Sequence, residues 1–263
     1  RFAKPNGEDM FHLRDFIYFL RYLRRFSQLI DDQSFELTGP MLLRALQRNF
    51  NGIAAEPFET LVQVFFASMN AQPHAPNIEL PSNSPVVSNI APLRESLNDR
   101  LQDGENPNMA AFRYVMVLDP TDTESSVSLL FSLNLLDQAH TRIICLGNFA
   151  EDETDTARSN LVLQIKTAME LGETVIMINA QSVFSSFYDV FNRHFTMHAI
   201  STDDDDVKQR QQFRYYANVA VGSFSRPCVV HPDFRVIVHV PQSALAVTPS
   251  PLLSRFEKYT LSI

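Results

Sequence analysis

Between positions 11 and 30 the apolar residues fall at Leu13, Phe16, Ile17, Leu20, Leu23, Phe26 and Ile30, the three-and-four spacing of one helical face. An amphipathic helix is predicted there. Arg14, Arg21 and Arg25 line another face, which reads first as a solvated stripe and second as a contact with a neighbouring module. A second helix is expected after Thr38, with Pro40 in its first turn and Asn51-Gly52 closing it, where start and stop signals are favoured. A third, over 57–70, carries Leu61, Val62, Phe65 and Phe66 on its apolar side. Residues 1–70 therefore predict a small all-helical unit. Five prolines (Pro73, Pro76, Pro81, Pro85 and Pro92) then remove amide donors and restrict the residues before them. This makes 71–107 a linker or extended arm, with room for one short amphipathic helix at 92–101.

Past residue 108 the period changes. Apolar runs at 112–118, 142–147, 174–179, 234–240 and 259–263 read as buried strands, and 124–139 and 156–171 as helices between them. Alternation of this kind predicts an α/β unit over 108–263, a mainly parallel five-stranded sheet with helices on both faces. An aromatic segment at 183–198 reads as helical, the acidic run 203–206 as a solvated loop, and 215–221 with 227–230 as a hairpin inserted before the fourth core strand.

Composition narrows the function classes. With 45% apolar and 20% charged residues the chain buries an ordinary core. A net charge of -8 argues against a nucleic-acid surface, which needs a basic footprint. No apolar run is long enough for a transmembrane segment, and no export signal is visible in the first twenty residues. Cys145 and Cys228 both lie in apolar runs and are expected as buried thiols, pointing to a reducing, cytoplasmic setting. The chain opens without Met and stops on a strand-like run, so it reads as an excerpt from something larger.

The candidate chemistry lies at the strand ends. The strand at 234–240, a Pro-punctuated turn and short helix at 248–253, then Arg255 before a last strand follow the order of an AAA+ (P-loop NTPase-like) large subdomain. A phosphate-binding loop after the first strand requires glycines, a lysine and a hydroxyl. This chain has DPTDTESS at 119–126 instead, with carboxylates at Asp119, Asp122 and Glu124. At the end of the third strand, where an Asp should hold magnesium, stands Ile178-Asn179-Ala180. Nucleotide hydrolysis is thus not expected, and no catalytic, cofactor-binding or metal-binding residue is assigned. His194 and His198, four apart on an expected helix, lack the further ligands of a zinc site. Cys145 reads as a desolvated core thiol, and no GxSxG elbow is present. Arg255 remains as an arginine-finger-like interface candidate, weighed against a local ion pair with Glu257.

Several uncommon segments occur together in one order: FHLRDFIYFLRYL, LLRALQRNFNG, GETVIMINAQSVFSSFYDVFNRHF, CVVHPDFRVIVHV and SPLLSRFEKY. Together they resemble the mysterin (ring finger protein 213) family of giant AAA+ E3 ubiquitin ligases. The resemblance implies the lid of a fourth AAA module (1–70) followed by the large subdomain of an inactive fifth (108–263). It implies neighbouring AAA modules and ubiquitin machinery as partners, with ATP, magnesium and zinc chemistry in other parts of the parent. A non-hydrolysing scaffold from a dynein-like or midasin-like motor is the alternative, and an enzyme using the altered cleft for a small molecule is a third.

Overall fold

The computed structural model describes residues 10–29, 37–73, 77–81, 89–101, 105–147, 151, 154–200, 212–222 and 224–261. The acidic run 203–206 lies outside them. Three helices open the chain, α1 (Leu13–Leu29), α2 (Gly39–Asn49) and α3 (Ala55–Asn70). They share a core of Phe19, Tyr22, Leu42, Leu46, Phe58, Val62 and Phe66. A fourth helix, α4 (Ile90–Asn98), lies in the Pro-rich stretch.

Five strands then build a parallel sheet: β1 (Tyr114–Asp119), β2 (Thr141–Cys145), β3 (Thr174–Ile178), β7 (Arg235–Pro241) and β8 (Phe256–Thr260), in the spatial order β2-β3-β7-β1-β8. Alternate residues of each strand serve opposite faces. On one face Met116, Val175, Met177, Val236 and Val238 pack with Leu161, Val162, Ile165 and Met169 of α6 (Asp155–Leu171). On the other, Val115, Val117, Ile176, Ile237 and Tyr259 meet Leu93 and Leu97 of α4, and Val127 and Leu130 of α5 (Ser125–Ser132). The chain is therefore packed against the sheet from α4 onward, well before the first strand. Between β3 and β7 an antiparallel sheet is inserted, β4 (Thr196–Ile200), β5 (Gln212–Val221) and β6 (Phe224–Val230). The remaining helices are α7 (Tyr188–Asn192) and α8 (Ser250–Leu253).

Several expectations change in the structure. The helix at 124–139 ends at Ser132, because Asn134 turns into the left-handed region (φ 50°) and Leu135 and Leu136 pack separately on the sheet core. The segment 183–198 is not one helix: a 3-10 stretch and α7 end at Arg193 (φ 57°), and the chain extends into β4. Cys145 is exposed, because β2 is an end strand and not a central one. The last strand starts at Phe256, three residues earlier than hydropathy suggested, since Glu257 and Lys258 are buried in it.

The largest change concerns α1. Its inward line is Asp15, Phe19 and Tyr22, whereas Leu13, Phe16, Ile17 and Leu20 form an exposed apolar stripe, with Phe16 46% and Leu20 49% accessible. The arginine stripe is not simply solvated: Arg14 donates to Asn192 Oδ1 at 2.5 Å and Arg25 pairs with Asp99 at 2.6 Å.

Candidate functional site

The β1–α5 loop occupies the place where a strand-loop-helix phosphate site would lie. Its geometry follows from Asp119, the last residue of β1, whose side chain is fully buried. Oδ1 accepts hydrogen bonds from the Thr121 backbone N–H (2.9 Å) and hydroxyl (2.7 Å). Oδ2 accepts from the Ser126 N–H (3.1 Å) and hydroxyl (2.7 Å), and lies 3.2 Å from His239 Nε2 on β7. Burial raises the pKa of such a carboxyl, but the Thr121 and Ser126 hydrogen bonds outweigh it and hold Asp119 below the ordinary carboxylate range. A second acidic residue, Asp122, accepts from the Ser243 N–H at 3.1 Å, beyond β7. Asp122 (φ 56°) and Glu124 (φ 59°) both take left-handed backbone, which glycine adopts more readily. The loop therefore has tight-turn geometry without glycine, and a carboxylate fills its amide cradle.

At the end of β3, Asn179 is exposed at φ 53° and provides no charge for a divalent metal. His194 and His198 are not brought together as a helical pair. His194 Nδ1 lies 3.9 Å from Asp189 Oδ1 after α7, and His198 is in β4 with its ring edge-on to Tyr216 at 5.2 Å. Among the described residues no group of three His, Cys, Asp or Glu side chains converges as a metal cluster.

Arg255 sits immediately before β8, half-buried. Its Nε donates to Asn192 Oδ1 at 2.9 Å and its guanidinium lies over the Tyr188 ring at 4.6 Å. Burial, with Arg14 close by, lowers its pKa. The local ion pair considered for it is not formed, because Glu257 belongs to another arginine.

That arginine is Arg48, and it opens a site the sequence reading missed. Arg48, in α2 and fully buried, grips Glu257 of β8 through two hydrogen bonds of 2.9 Å and reaches Asp99 at 2.7 Å. Ser96 of α4 also donates to Glu257 at 2.5 Å. Asp15 of α1 bridges Arg113 at 2.7 Å and Lys258 at 2.9 Å, all three buried. Burial raises the pKa of both carboxyls, yet the cations beside them win: Lys258 and Arg113 lower Asp15, and Arg48 lowers Glu257. Gly52, in the turn after α2, has φ 88°, and a Cβ there would lie 2.6 Å from that of Lys258. The helical unit is thus locked to the sheet by ion pairs on both sides of β8 and by a glycine-only contact. The signal was present as RN-x-NG in one segment and R-x-EK in another, but nothing in either segment points to the other.

Residues 105–263 match the protein family described as RNF213 AAA domain. A Dictyostelium discoideum protein named as an uncharacterized transmembrane protein is 39% identical over 261 residues, which is 98% of this chain and 4% of that protein. The E3 ubiquitin-protein ligase rnf213-beta of Danio rerio is 26% identical over 98% of this chain, and the E3 ubiquitin-protein ligase RNF213 of Homo sapiens 24% identical over 99% of it. In each case the chain spans about 4% of the relative's length. Among the described residues no helix is long and apolar enough to cross a membrane. The family match covers more than half of the chain and lies on the five-stranded parallel sheet, so the chain belongs to the RNF213 AAA domain family.

Proposed function

We propose that this chain is a non-hydrolysing AAA+ segment of a mysterin-like giant E3 ubiquitin ligase, serving ring architecture and coupling between active neighbours and the ligase portion. One observation carries the reading: the loop after β1 has no glycine or lysine and is closed on the carboxylate of its own Asp119. A triphosphate entering there meets negative charge in place of a cradle. Asn179 at the end of β3 supports the same conclusion, since it leaves magnesium without a carboxylate.

The division we propose is a lid of one module, residues 1–70, followed by a linker and the large subdomain of the next, 108–263. The exposed stripe Leu13, Phe16, Ile17 and Leu20 favours it, because such a stripe on a packed helix marks a surface with a partner. The partner we assign is the large subdomain of the lid's own module. Arg255 is assigned to the contact with an adjacent module, where Asn192 and Tyr188 hold its guanidinium at the surface. In this reading ATP, magnesium and zinc belong to other parts of a cytoplasmic parent, where ubiquitin transfer also takes place.

The test is calorimetric titration of the whole chain with ATP and magnesium. No saturable heat is expected, and binding in the micromolar range would refute the closed loop on which the assignment rests.

A further inference from the structure

We propose that the Asp119 carboxylate is a built-in anion standing where a bound phosphate would, and that it ties the β1–α5 loop to β7 so that this module stays in one state whatever the nucleotide supply. The inference rests on the non-hydrolysing reading and says how that state is maintained.

An anion at the start of a helix after a strand is held by backbone N–H groups and the positive end of the helix dipole. Asp119 receives that treatment. Ser126, the second residue of α5, directs its N–H to Oδ2 at 3.1 Å, and the Thr121 N–H meets Oδ1 at 2.9 Å. The two hydroxyls, each at 2.7 Å, and the His239 imidazole at 3.2 Å complete five contacts on one carboxylate. A carboxylate offers about four lone-pair directions, so these partners saturate it. Thr121 in turn shares its hydroxyl with Thr123 at 2.8 Å and Ser125 at 2.7 Å, which extends the network along the loop.

The ties run beyond the loop. His239 is on the strand next to β1, is 3% exposed, and its Nδ1 has no partner among the described residues. Among the described residues the one polar contact of the imidazole is therefore the Asp119 carboxylate. Asp122 adds a second strap to the Ser243 N–H just past β7. In a nucleotide-driven module the links between this loop and the neighbouring strand would come and go with the phosphate. Here the anion is covalently part of the chain and cannot diffuse away. Such a module offers its neighbours a constant surface.

The experiment removes the internal anion and supplies an external one. The whole chain and its Asp119→Gly variant are melted over a range of inorganic phosphate, with chloride at matched ionic strength as the control. Wild type should show no phosphate-specific shift. The variant should melt lower and recover saturably, by about 2–4 °C for each kcal/mol regained, in phosphate alone. An equal phosphate response in both proteins, or a variant that loses nothing, overturns the proposal. Should Asp119→Gly not fold, Asp119→Asn carries the test. Its Thr121 and Ser126 amides should exchange about tenfold faster than in wild type, as expected for loss of a charged acceptor, and unchanged exchange overturns the idea. ATP turnover by wild type would instead sink the non-hydrolysing reading, so the two failures are distinguishable.

Discussion

The β1–α5 loop and the junction around β8 both centre on buried carboxylates, yet they differ in how far the partners lie apart along the chain. In the loop, Asp119 finds Thr121 and Ser126 within seven residues, with only His239 from afar. At the junction, Arg48 reaches Glu257 across 209 residues and Asp15 reaches Lys258 across 243. The first arrangement seals a cleft locally. The second holds the helical unit against the sheet. Charge burial in this chain thus acts once as a plug and once as a clamp.

The sharpest way to break the comparison is Arg48→Ala. It leaves Glu257 buried without its cation and Asp99 with Arg25 alone, and should cost about 3–5 kcal/mol in denaturant unfolding. An Arg48→Met, Glu257→Met double variant should recover part of that loss, since both charges are then gone. Gly52→Ala comes next, at about 2–4 kcal/mol, from left-handed strain and the clash with Lys258 together. A loss below 1 kcal/mol would mean the turn can move away from β8.

Acid should then weaken both regions, since Asp119 is held below the ordinary carboxylate range as well. Asp15 and Glu257 have folded pKa values below their unfolded ones, so their contribution is complete above the unfolded value near 4 and is lost as pH falls toward the folded values. The melting temperature should therefore decline below about pH 5, and less steeply in Glu257→Gln, whose baseline is lower. At the loop, Glu124→Gly should stabilise by about 0.5–1 kcal/mol, as relief of left-handed strain exceeds the entropy cost of glycine. The smallest effect is expected for Phe16→Glu with Leu20→Glu. On the exposed stripe these should change the stability of this chain by no more than about 0.5 kcal/mol, while weakening assembly of the parent as read by size-exclusion and cross-linking.

The sheet was legible because its inner strands are buried on both faces, and continuous apolar runs such as 174–178 have few other uses in a chain of this length. The absence of glycine and lysine from 119–126 was equally legible. What hydropathy could not give was any element whose inward face is polar. Glu257 and Lys258 read as surface residues until Arg48 and Asp15 are placed beside them, and α1 presents Asp15 inward where its apolar period suggested Phe16. The plug on Asp119 was missed for a related reason. Its carboxylate was read as repelling phosphate, and only the geometry shows the amides already turned toward it.

Gly52 lies against Lys258, and the Asn89 amide donates to the Thr260 carbonyl at 2.7 Å, so helical-unit and linker residues both close on the terminal strand of the sheet. The family match begins at 105, but the relatives align over nearly the whole chain, and buried ion pairs and apolar contacts tie α1, α2 and α4 to the sheet. The edge of the family match is therefore not an edge of packing. A fragment cut at 105 would keep Glu257 and Lys258 without their partners from α1 and α2 and would bare the outer side of β8, a template for strand-to-strand association.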